Sequence, residues 1–307
     1  MGRIHVGVAH PGDRSLIARG RFYPPGLRSS SRRLAHYATR FATAEMAVGF
    51  HGPLDERTCR AWIEMTPDGF LAHPRAYSML TRHPTSVPDL PEVLLSELPR
   101  DYLQRRQSEV FPAELVEAAF DMFYTSVKPL MKAGRLGCVL FCFPPWFTAG
   151  RHAFHWLELV GEKAAGVPTA VEFCHESWIR NPGHAWATDL LKQAGLGFVA
   201  SDAPWIPQGE GPGALTAPFA YVRLSGRNMK SWRQPGLPRS RRLRYGYTGR
   251  DLAGWAVRVR RVSMRAAATF VLFNNAPGWR AVEDAAMFRG LLRDGDRKRD
   301  GAVPEDR

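Results

Sequence analysis

This 307-residue chain lacks several kinds of segment, and each absence removes a class of function. No apolar run reaches the roughly 18 residues that span a bilayer, so no membrane anchor is expected. Met1–His10 has no basic stretch followed by an apolar one, which predicts no secretory signal. Cysteine is scarce, and Cys59, Cys138, Cys142 and Cys174 form no CxxC pair. They read as small apolar residues of a reduced, cytoplasmic protein without a disulfide framework. Lysine occurs only at 128, 132, 163, 192, 230 and 298, so arginine supplies most of a net charge of +13. Chemical signatures are missing too. Val8-Ala9-His10-Pro11-Gly12-Asp13 is no glycine-rich phosphate turn, Ser177 sits in no GxSxG elbow, and no HxH or HExxH spacing marks a metal centre.

What remains is a regular alternation. Short apolar runs stand at Ile4–Ala9, Thr43–Val48, Gly69–His73, Gly137–Phe143, Thr169–Cys174, Gly197–Ser201, Phe219–Leu224 and Thr269–Asn274. Helical patterns separate most of them, at 32–41, 55–64, 112–133, 152–164, 184–193 and 251–262, with a last one at 282–292. Strand–helix alternation requires parallel strands joined by crossovers, and eight such units predict a single-domain α/β fold, a TIM-like (β/α)8 barrel over residues 1–292. The charged residues 293–307 are expected to be a disordered tail. Residues 85–111 read as an insertion after the third strand, and the glycines at 209, 211 and 213 mark a mobile loop after the sixth.

Function in such a barrel gathers at the carboxyl ends of the strands. Glu45 and Glu172 lie within predicted strands, where a carboxylate needs a partner; Arg223, in Tyr-Val-Arg-Leu, is the natural counter-ion. His175, Asp202 and Asn274-Asn275 follow strand ends, with Trp178 close behind His175. These residues can be read as acid–base machinery or as an ion network that closes the core. A basic segment from Arg227 to Arg250 interleaves seven further cations with Trp232, Tyr245 and Tyr247. It offers a nucleic-acid surface as an alternative.

The order of motifs resembles the domain of unknown function 72 (YecE-like) family. The resemblance rests on Arg21-Phe22-Tyr23-Pro24, on Leu34 to Phe41, on Trp62 with Thr66-Pro67-Asp68-Gly69-Phe70, and on Leu140 to Pro145. It continues through Val171 to Trp178, Ala220 to Gly226 and Phe273-Asn274-Asn275. It implies a TIM-like barrel and no particular reaction. The chain departs from the family pattern at its opening strand, at Ala47, around Ala72-His73 where a lysine is usual, at Cys174 and at Ser225.

The resulting expectation is a pocket at the carboxyl ends of the strands that binds a small anionic or sugar-like molecule or acts on it. Glu45, Glu172, His175 and Asp202 are the acid–base candidates. Trp178, Arg223, Arg227, Asn274 and Asn275 are the ligand-binding candidates, with Arg223 as the anion clamp. A non-catalytic binding protein is the further alternative. No metal is assigned, and the sequence fixes neither a cofactor nor an oligomeric state.

Overall fold

A computed structural model describes residues 2–52, 54–206 and 214–300. Eight parallel strands form one sheet: β1 (Arg3–Val8), β2 (Thr43–Met46), β3 (Leu71–Pro74), β4 (Val139–Phe143), β5 (Thr169–Phe173), β6 (Gly197–Asp202), β7 (Phe219–Leu224) and β8 (Ala268–Phe273). Their order is β3-β2-β1-β8-β7-β6-β5-β4. The ends of that series meet: the Ala72 amide donates to the Arg135 carbonyl, the Gly137 amide to that of Ala72 and the Ala76 amide to that of Leu140, each at 2.9 Å. The sheet therefore closes into the expected barrel. Each strand coincides with one of the eight apolar runs. Their near-continuous burial is what parallel strands covered on both faces require.

The long helices are α1 (Ser30–Ala38), α2 (Glu56–Met65), α3 (Ala113–Lys132), α4 (Arg151–Lys163), α5 (Gly183–Gln193), α6 (Gly249–Ser263) and α7 (Gly278–Asp300). Local chemistry starts several of them. The Asp55 carboxylate accepts the Thr58 amide at 2.6 Å. Thr248 and Asp251 exchange side-chain and backbone bonds in a full capping box at α6. Helix α7 continues to Asp300, past the boundary expected at 292, and residues 301–307 lie outside the described residues. So do 207–213, on which the glycine-rich loop expectation rests. The insertion after β3 is ordered around two-residue strands, Thr85–Ser86 against Gln107–Ser108.

Apolar side chains fall into three groups. Two lie between sheet and helices, one around Phe120, Phe143, Phe173 and Trp178, the other around Tyr37, Val222, Trp255 and Phe288. The third fills the barrel interior with Cys138, Leu140, Cys142, Tyr221, Phe270 and Leu272. Cys138 and Cys142 thus share one strand face, as their spacing predicts. Two family-like motifs act as staples. The Tyr37 hydroxyl receives the Val8 amide and donates to the Thr43 carbonyl, both at 2.9 Å, and so ties β1 to β2. The buried Arg135 guanidinium reaches the Phe70 and Thr66 carbonyls and the Asp68 carboxylate, which explains the Thr66–Phe70 turn. Deeper in the barrel, the His73 ring lies 2.7 Å from the Thr43 hydroxyl and packs edge-on to Phe270. Burial lowers its pKa to about 3, so it is a neutral core residue. A Cβ at Gly137 would sit 2.2 Å from that ring, so only glycine fits there.

Candidate functional site at the barrel mouth

Side chains alternate along a strand, so the residues that point into the barrel are set by parity. Glu45, Glu172, Ser201, Tyr221 and Arg223 share that parity and meet in one layer below the carboxyl ends of the strands. Arg223 donates from Nε to Glu45 Oε1 at 2.8 Å and from Nη2 to Glu45 Oε2 at 2.9 Å. Its Nη1 reaches Glu172 Oε2 at 2.7 Å. The Ser201 hydroxyl donates to Glu172 at 2.8 Å and the Tyr221 hydroxyl to Glu45 at 3.3 Å. All three charged residues are buried. The Arg223 guanidinium outweighs desolvation at Glu45 and holds its carboxyl below the usual range.

Two expectations change here. Glu45 is a weak base, because Arg223 holds its carboxyl low and it already accepts three hydrogen bonds. Arg223 is no open anion clamp either, because both edges of its guanidinium are committed to carboxylates.

The layer above the triad is cationic. Arg75, outside the candidates named from the sequence, directly follows β3, two residues beyond His73 on the same parity. Its guanidinium acts electrostatically on Glu45, Cys142, Cys174, His10 and Arg239. It rests 4.6 Å from the Phe50 ring centre, and its buried Nε has no hydrogen-bond partner. Arg239 enters from the basic segment and donates to the Asn274 carbonyl at 2.7 Å and to Asn274 Oδ1 at 2.5 Å. Burial, then repulsion from Arg223 and Arg75, brings its pKa down to about 10. His10, just past β1, completes the group. Desolvation and then Arg239, Arg75 and Arg223 hold its imidazole well below 6.5, and its buried Nε2 is unpartnered. Among the described residues, neither Arg75 nor Arg239 forms an ion pair, whereas both buried glutamates of the floor are spent on Arg223.

Asn274 also faces the mouth, where its amide donates to Ser225 at 2.9 Å. The other candidates point away: Asp202, Asn275 and His175 lie one residue out of phase, and Arg227 and Trp178 lie beyond the strand ends. Asp202 receives Arg227 at 2.8 Å and the Trp255 indole N–H at 2.9 Å, on the helix side of the sheet. Arg227 is shared with Asp251 at 3.0 Å. Asn275 donates to Asp284 at 2.8 Å and to the Tyr245 carbonyl at 2.9 Å. His175 uses Nδ1 to accept the Ser177 amide at 3.1 Å and so starts a single helical turn. Trp178 is fully buried, stacks 4.2 Å from Phe173 and donates to the Phe147 carbonyl at 2.6 Å. These five shape the scaffold around the mouth and do not line it.

The basic segment folds back over the barrel. Gly226 adopts φ +86° with the Tyr245 Cβ only 2.4 Å from where its own would lie, so the chain reverses at a position that demands glycine. Trp232 packs 4.5 Å from Trp205, and Arg242 lies over Trp232. With Arg227 and Arg239 committed inward, Lys230, Arg233, Arg241, Arg244 and Arg250 remain as the exposed cations of this stretch.

Beside the mouth, between the loops after β1 and β2, lies a cavity of about 580 Å³. It is lined by His10, Asp13 and Glu45, and Leu34, Trp62 and Met65 give it an apolar wall. Ala47, one of the departures from the family pattern, lines it as well. Cys174 and Ser225, two others, belong to the mouth.

Comparison with known proteins agrees with this architecture. A family model described as "Protein of unknown function DUF72" matches residues 5–306. The chain is similar to the UPF0759 protein YunF of Bacillus subtilis (strain 168), at 28% identity over 295 residues and 94% of each chain. Among solved structures, it resembles a DUF72 family protein from Enterococcus faecalis V583, with a TM-score of 0.73 at 22% identity over 94% of this chain and 95% of the other. A DUF72 protein from Thermotoga maritima MSB8 gives a TM-score of 0.70 at 24% identity over 95% and 99%. At these identities the structural likeness concerns the fold. No helix among the described residues is long and apolar enough to cross a membrane.

Proposed function

The chain belongs to the DUF72 family, and on that premise we propose that it binds a small anionic molecule at the carboxyl-end mouth of its barrel. One observation carries the reading: Arg75 and Arg239 converge on the mouth without ion pairs among the described residues, while the nearby glutamates are consumed by Arg223. Two buried or half-buried guanidinium groups that repel each other are costly unless an anion joins them. A neutral His10 supports this, since an imidazole that resists protonation offers a hydrogen bond without adding charge.

The buried triad forms the floor. With Glu45 and Glu172 both engaged by Arg223, the reading is one of binding. Isothermal titration with inorganic phosphate tests the reading. The expected result is saturable binding that Arg75→Gln and Arg239→Gln each weaken by about tenfold or more, the size expected for losing one charge-assisted contact. Binding indifferent to both changes, or no binding, would overturn it. A single-stranded oligonucleotide in the same cell addresses the alternative surface. Tight, salt-sensitive binding that survives both changes would favour the exposed cations of the 227–250 segment.

A further inference from the structure

We infer that the cavity beside the mouth is the subsite for the uncharged body of that same ligand, and that this body is a hydroxylated ring, so that the ligand class is a phosphorylated sugar. The inference rests on the anion reading of the mouth and adds to it what the rest of the molecule must look like.

Continuity comes first. His10 and Glu45 line the cavity, and the same two residues border the cationic mouth: His10 through Arg75 and Arg239, Glu45 through Arg223. A ligand whose anionic group sits among Arg75, Arg239 and His10 therefore has its remaining atoms directed past these two side chains. The space is sufficient, since about 580 Å³ lies within the range of small-molecule sites.

The lining selects the chemistry. Glu45 is spent on Arg223 and Tyr221 and its side chain is fully enclosed, so it closes the inner end of the cavity and offers the ligand no hydrogen bond. Asp13 spends Oδ1 on the Ser15 amide and hydroxyl at 2.9 and 2.5 Å. Its Oδ2 accepts no hydrogen bond among the described residues. An apolar body would cover this acceptor without satisfying it, at a cost. A fully polar body would waste the wall built by Leu34, Trp62 and Met65. A sugar ring meets both demands, because its hydroxyl edge donates to the Asp13 carboxylate while its C–H face packs on an indole.

The experiment is titration of the full chain with three probes: inorganic phosphate, a hexose phosphate and the free hexose. The hexose phosphate is expected to bind at least about tenfold more tightly than phosphate, the worth of one or two satisfied polar contacts. Ala61→Phe and Val48→Trp both project bulk into the cavity, and Val48 is exposed, so the second change leaves the fold intact. Each should erase the advantage of the hexose phosphate and leave phosphate affinity unchanged. Equal affinity for the two phosphates, or an advantage that survives both substitutions, would overturn the cavity assignment alone. Binding of free hexose without any phosphate binding would overturn the anionic mouth while upholding the sugar subsite. Binding of none of the three would overturn both.

Discussion

Replacing Arg223 with methionine should reverse the direction in which pH acts on the stability of this protein through Glu45. In the wild type, the guanidinium holds the Glu45 carboxyl below its usual range. A depressed folded pKa contributes stability that is present above the unfolded value of about 4.3 and lost as pH falls through the folded value. Removing Arg223 takes away three charge-assisted bonds of 2.7–2.9 Å and leaves Glu45 buried among Tyr221, Cys142 and Cys138. Burial then raises the Glu45 pKa, and its stability contribution becomes one that is present below about 4.3 and lost as pH rises. Protonation caps the damage at each carboxyl, because holding one neutral at pH 7 against a pKa of about 4.3 costs about 3.7 kcal/mol, and Glu172, which loses its bond from Nη1, has a cap of its own beside that of Glu45. That ceiling agrees with the roughly 3–5 kcal/mol found when a buried pair loses one partner. The assay is urea unfolding of wild type, Arg223→Met and the triple variant Glu45→Leu/Glu172→Leu/Arg223→Met at pH 5 and pH 7.5. The single variant should lose more stability at pH 7.5 than at pH 5, and the triple variant should be much closer to wild type at both. Equal losses at the two pH values, or a triple variant no better than the single one, would refute a mutually compensated triad.

Three further outcomes follow from residues near the mouth. Asp284 is fully buried and its pKa is raised to about 6, chiefly by desolvation, so its contribution favours the fold below about 3.8 and is lost as pH rises through 6. Asp284→Asn should therefore gain in thermal midpoint relative to wild type on going from pH 4.5 to 7.5, and a constant difference would contradict this. Trp178→Ala should cost about 3–5 kcal/mol in denaturant unfolding, as expected for a large cavity, yet leave phosphate affinity unchanged; selective loss of affinity would return Trp178 to the site. Asp202→Ala strands the Trp255 indole N–H and removes one of two partners of Arg227. It should cost about 1–3 kcal/mol without altering phosphate binding, and a titration measured beside the unfolding curve checks both.

The barrel was legible in the sequence because parallel strands covered on both faces must be short and almost wholly apolar, and eight such runs stand apart from longer amphipathic ones. The triad was legible for the complementary reason: a charge inside such a run has nowhere to go but the interior. Beyond the strand ends, single residues decide which side chain faces the mouth. Ser201 and Asn274 face inward while Asp202 and Asn275 face outward, and a sequence shows the polar pair without its parity. Continuing the period of two past β3, from His73 to Arg75, is the signal that would have found the free cation. Arg239 left no such signal. It lies in a run of arginines that reads as surface, and only the reversal at Gly226 with the packing of Trp232 on Trp205 brings it inward.

The closure between β3 and β4 differs from every other junction in the barrel. Elsewhere neighbouring strands share a continuous ladder or a tyrosine staple, whereas here isolated bridges at Ala72–Leu136 and Arg75–Leu140 join the ends. Arg135 supports them by gripping the preceding turn. The hoop thus has a clasp, and chain order makes it the natural place for two half-barrels, β8-β1-β2-β3 and β4-β5-β6-β7, to part and rejoin. Amide hydrogens of Ala72, Ala76 and Gly137 should exchange with solvent through openings smaller than global unfolding. Because Arg75 sits on the clasp, an anion drawn to its guanidinium would hold the two halves together, and occupancy of the mouth would be felt as slower exchange along this one seam.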